Sequence, residues 1–170
     1  MVSKRRFLIF WIGGMIAFAV VISLGQPLSI AEAPGGILDH QAAGTAQNVD
    51  YIQQAWAREG LSNTAFSSML ADLAFIGIYG IGCVLGGLYF RAQGVGNLKR
   101  IGTFALVSGL VFLLTDYGET IAQIIQLYRY EGSDALAGIA AMMQPVKFVS
   151  AALTVLLIPL GLVMDWRAKG

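Results

Sequence analysis

Asp116 and Glu119 stand inside an apolar run that extends from Ile101 to about Leu127. An ionised side chain at mid-membrane costs ~2.5–3.5 kcal/mol even on insertion-based scales. A chain that keeps two such acids needs a partner or a use for them. Asp116, Glu119, Gln123 and Gln126 recur at alternating three- and four-residue spacing, which is one face of a helix. Followed back along the run, the same face passes through Phe112, Gly109, Ala105 and Gly102, mostly small residues that suit a helix–helix contact. Two further charges lie just inside the starts of the second and fourth apolar spans, Asp72 and Lys147. Three readings of this set stand side by side. Lys147 can pair with Asp116 or Glu119 in an internal ion-pair network. Asp72, Asp116, Glu119, Gln123 and Lys147 can line a polar site for a cation, a proton or a small polar head group. The stripe can also dock onto another subunit.

Other chemistries find no residues. Cys83 is the only cysteine and His40 the only histidine, so a multi-cysteine metal site and paired-histidine haem ligation are excluded within this chain. His40, beside Asp39, reads as a surface loop residue, and no serine has a histidine base in view. Gly94-Val95-Gly96 lacks the strand-to-helix setting of a phosphate loop and reads as a turn. We therefore expect no catalytic constellation, no metal and no cofactor. The net charge of +1 supplies no basic field for nucleic acid.

The elements that must position the acids follow from composition. The 170 residues are 56% hydrophobic and 12% charged, half the charge of a soluble domain, which makes the chain an integral membrane protein. Apolar runs predict an all-α fold with four transmembrane helices, at about 7–24, 68–90, 101–127 and 145–164, in an antiparallel bundle within a single domain. The first follows Lys4, Arg5 and Arg6, and its 18 apolar residues read as an uncleaved anchor. Residues 25–66 form a long loop containing Pro27, Pro34, Gly35 and Gly36. Within it a short amphipathic helix is expected at about 42–59. Val49, Ile52 and Trp56 form its apolar stripe, Gln53 lies elsewhere, and Gly60 stops it. Gly82-x-x-x-Gly86 permits close helix approach in the second span, as Ala105 and Gly109 do in the third. Asp72 is placed to cap the start of the second span, and a separate interfacial helix at 135–143 is expected to precede Pro145.

Lysine and arginine placement orients the chain. Lys4, Arg5, Arg6, Arg91, Lys99, Arg100, Arg167 and Lys169, eight of the eleven, fall on one side if four spans are crossed. The positive-inside bias then puts both termini in the cytoplasm and 25–66 outside, in a bacterial inner (plasma) membrane. In outline the layout resembles claudin-like tetraspan proteins, but the tryptophan and cysteine-pair signature of their first loop is absent, so nothing carries over from them. The expected partners are the lipid bilayer and other membrane subunits or a second copy of the chain. The leading functional expectation is a non-catalytic accessory or assembly subunit of a larger membrane complex. The competing one is a small transporter, channel-like protein or sensor built on the acids and Lys147.

Overall fold

The computed structural model describes residues 2–94 and 96–168. It is all-helical, with 86% of residues in helix and no strand among the described residues beyond an isolated bridge between Ile30 and Ala33. The helices are α1 (Lys4–Gly25), α2 (Ile37–Gln41), α3 (Ala46–Arg58), α4 (Ser62–Gln93), α5 (Asn97–Arg129) and α6 (Asp134–Arg167), with a 3-10 turn at Gln26–Leu28 after α1. Four of them, α1, α4, α5 and α6, are long and apolar enough to cross a membrane. At 1.5 Å per residue the 32 to 34 residues of α4, α5 and α6 extend roughly 48–51 Å, beyond a ~30 Å hydrocarbon core. Their large apolar side chains are not hidden: Phe104, Leu114 and Leu156 are each about two-thirds exposed or more. In water such surfaces would drive aggregation, and in a bilayer they face a matching solvent.

Three boundaries differ from the sequence expectation. Helix α4 begins at Ser62, so Asp72 lies ten residues inside it and cannot cap its start. Helix α6 runs unbroken from Asp134 through both Pro145 and Pro159, so no separate interfacial helix precedes the proline. Proline removes one backbone hydrogen bond, yet the helix continues through Gln144 and Val146 on either side of Pro145 and through Ile158 and Leu160 on either side of Pro159. The helix expected at 42–59 is shorter, Ala46–Arg58, and is preceded by the separate turn of α2. Gly44, at φ +70°, separates the two.

The chain folds as two compact units. The first takes in residues up to Ala17, Ile76–Leu114 and Val146 onward. Its core gathers Phe7, Tyr89, Phe90, Ala105 and Ile158, with the Phe7 ring 5.4 Å from Tyr89 and 5.6 Å from Phe90. Glycines set the helix spacing. A Cβ on Gly82 would lie 2.6 Å from the backbone nitrogen of Trp11, and one on Gly87 2.5 Å from that of Leu106. One on Gly109 would meet Cys83 Cβ at 2.9 Å, and one on Gly86 would meet Ile158 Cδ1 at 2.7 Å. At one end Lys4 Nζ donates to Asp165 Oδ2 at 3.0 Å, and the Tyr89 hydroxyl donates to the same oxygen at 3.1 Å.

The second unit comprises Phe18–Phe75 and Thr115–Pro145. Leu28, Val49, Ile52, Trp56, Met69 and Leu127 share its apolar core. Helix α3 is the best-defined local element. Thr45 caps it, its side chain accepting from the Asn48 N–H at 3.3 Å. At the other end the Leu61 N–H donates to Trp56 O at 2.7 Å and the Gly60 N–H to Ala57 O at 3.1 Å, with Gly60 at φ +71°. That pair of bonds is a Schellman motif, and the left-handed residue it requires is why glycine stands there. Two carboxylates dock α3 onto the turn between α5 and α6. The Gly132 N–H donates to Asp50 Oδ1 at 2.6 Å, and the Ala46 N–H donates to Asp134 Oδ1 at 2.7 Å.

Candidate functional site: a buried polar chain in the second unit

The face of α5 identified by spacing is buried along its whole length, through Gly102, Ala105, Gly109, Phe112, Asp116, Glu119, Gln123 and Gln126. Glu119 is fully enclosed. Gln123, one helical turn on, donates from Nε2 to Glu119 Oε1 at 3.3 Å. A carboxylate only accepts, so this contact fixes which way the Gln123 amide points. Its carbonyl oxygen, Oε1, is left facing His40 Nδ1 at 3.3 Å. Nδ1 must then carry the imidazole proton, and Nε2 of the same ring accepts from Gln53 Nε2 at 3.0 Å. The result is a directed chain in which Gln53 donates to His40, His40 to Gln123 and Gln123 to Glu119. The carboxylate at one end sets the tautomer of the imidazole. At the other end Gln53 Oε1 is buried with no hydrogen-bond donor.

His40 corrects the sequence expectation most sharply. It is not a surface loop residue: 1% of it is exposed. The imidazole stacks on Trp56, centroids 5.3 Å apart and planes at 29°. The indole Nε1 in turn donates to Leu28 O at 2.9 Å. Burial pulls the imidazole down from 6.5 to about 4, against the opposing hydrogen bond to Gln123, so the ring is neutral near pH 7. The physical reason for the burial is that a neutral imidazole satisfied at both nitrogens carries little desolvation penalty.

The remaining acids sit nearby or elsewhere. Asp72 is part-buried on α4 and accepts from Thr120 Oγ1 at 3.0 Å. Its role is thus a link between helices within this unit. Asp116 is buried on the same face of α5 as Glu119. Gln126 accepts the Ser133 N–H at 2.9 Å and donates to Ala122 O at 3.2 Å, which closes the end of α5. Lys147 falls in the first unit, where it is buried with Nζ 5.5 Å from the centroid of the Phe148 ring. No group of three or more metal-ligating side chains occurs among the described residues.

Gln53, expected away from the apolar stripe of its helix, is buried. A local signal for this exists. Gln53 lies four residues after Val49 and three before Trp56, which is the spacing of the apolar stripe itself. His40 has no such signal, because its partners are 13 and 83 residues away. Compared with family models, with curated proteins and with solved structures, the chain matches none.

Proposed function

We propose that the chain is a small integral membrane protein that binds a proton or a small cation at the Glu119–Gln123–His40–Gln53 chain, in the manner of a transporter or sensor site. The observation that carries this reading is the buried polar chain that ends in the Glu119 carboxyl group and leaves an acceptor, Gln53 Oε1, that no protein donor satisfies. A buried acceptor left without a donor costs about 1–3 kcal/mol. A cation or a species bearing N–H or O–H groups supplies what that acceptor lacks. Ionisable groups enclosed in membrane helices mark ion and proton sites for the same energetic reason.

An assembly-subunit reading draws on the glycine-rich faces as contact surfaces for a partner. Those faces are filled by the chain's own residues: Trp11 at Gly82, Ile158 and Phe7 at Gly86, and Cys83 at Gly109. They leave the binding reading better supported. The lysine and arginine bias supports an orientation with both termini in the cytoplasm and residues 25–66 outside, in which α2 and α3 cover the site from the outer side.

Trp56 supplies the test, because it stacks on His40. In full-length protein carrying Trp11→Phe and Trp166→Phe, Trp56 is the sole indole. Its emission should change saturably with protons or with one of sodium, potassium and ammonium, and Glu119→Gln should abolish the change. A folded protein whose Trp56 emission ignores every one of these probes would sink the proposal.

A further inference from the structure

We propose that the exposed side of α1 in the first unit holds an anionic membrane phospholipid, its phosphate on Arg5 and one acyl chain laid along the helix. The inference rests on α1 being a membrane span and is independent of the polar chain of the second unit. An open, shallow strip of about 640 Å³ lies along one face of α1, from Lys4 and Arg5 past Leu8, Ile12 and Gly13 to Ile16, and residues of α1 alone line it. Gly13 gives it its floor: the nearest neighbour to a Cβ there is Ile78 Cγ2 at 3.6 Å, and no side chain of its own fills the space. Ile12 and Ile16 stand open at its wall.

Length and charge select the occupant. From Arg5 to Ile16 the helix rises about 16 Å, half of a ~30 Å hydrocarbon core. The strip therefore matches one acyl chain in one leaflet, with the basic end at head-group level. Asp165 cancels Lys4 but leaves Arg5 unopposed. It is buried and already answered by Lys4, while Arg5 is exposed and has no carboxylate within ion-pair distance among the described residues. A guanidinium binds phosphate through two parallel hydrogen bonds and does so best beside apolar surface. A second copy of the chain fits worse. Two copies share one orientation in a bilayer, so a twofold contact along α1 would set Arg5 against its own equivalent.

Native mass spectrometry of the full chain, released from a non-ionic detergent, tests this with phosphatidylglycerol and phosphatidylcholine of matched chains. The expected result is one tightly held phosphatidylglycerol, preferred roughly tenfold over phosphatidylcholine. Arg5→Gln should remove most of that preference, and Gly13→Leu should weaken both lipids alike by filling the strip. Equal binding of the two lipids, or a preference that survives Arg5→Gln, overturns the proposal. So does a dimer that binds neither lipid, which would assign the strip to a second copy. Recovery of the chain in the aqueous fraction without detergent would overturn the membrane reading itself, a separate failure from loss of head-group preference.

Discussion

His40 is the residue at which folding and chemistry are tied together. Its ionisation is depressed to about 4 in the fold from 6.5 in the unfolded chain, so between those values the unfolded state binds more protons. The stability it contributes is complete above about pH 6.5 and drains away as pH falls toward about 4. By about pH 5 the loss should reach about 2 kcal/mol. Thermal melts of the wild type and of His40→Gln at about pH 7 and about pH 5 isolate this term. The variant should start less stable and lose less on acidification. Parallel losses in both proteins would mean that His40 does not titrate in the unfolding reaction. None of this is legible from the sequence. A lone histidine between an aspartate and a glutamine looks solvent-exposed, and only contacts 83 residues apart reveal that both ring nitrogens are taken.

At the scale of elements the sequence is far more informative, and for a simple reason. Spans are long apolar runs, and the face of α5 repeats at helical spacing, so both are local signals. Proline misleads, because one lost backbone hydrogen bond need not end a long apolar helix, and α6 continues through Pro145 without a break. Helix ends show finer local chemistry. Tyr130 ends α5 at φ +51°, with the Glu131 N–H donating to Gln126 O and its own N–H to Leu127 O. This is the same motif that glycine makes at Gly60, held here by a residue with a Cβ. Tyr130→Gly should therefore stabilise the protein by about 1 kcal/mol, and Gly60→Ala should destabilise it by a similar amount. Chemical unfolding of both variants checks the signs, and two shifts in the same direction would refute the account. Between helices, Gly82 and Gly86 belong to one sequence pattern but meet different obstacles. Gly82→Ala drives a Cβ into the Trp11 backbone, while Gly86→Ala meets the movable end of Ile158. Gly82→Ala should cost about 2–3 kcal/mol and Gly86→Ala under about 1 kcal/mol. Equal melting temperatures for the two would show that backbone approach at Gly82 is unimportant.

At the scale of the whole molecule, four helices long and apolar enough to span a membrane and the basic-residue bias make one decisive prediction. Asn63 and Gln93 are exposed at opposite ends of α4, and the native Cys83 is buried between them. Asn63→Cys should react with an impermeant thiol reagent added to intact cells, and Gln93→Cys only after the membrane is opened. Reaction of both from one side would end the four-span topology. The order in which these parts appear during synthesis also matters. The Ala46 N–H waits for Asp134, 88 residues later in the chain. At ~5–20 residues per second, that partner emerges about 4–18 seconds after the helix that needs it. The nascent protein must therefore hold its first helices with the start of α3 still undocked from the turn that follows α5. Chains stalled after α5 but before Asp134 should then be the form that proteases and membrane chaperones recognise, however sound their spans.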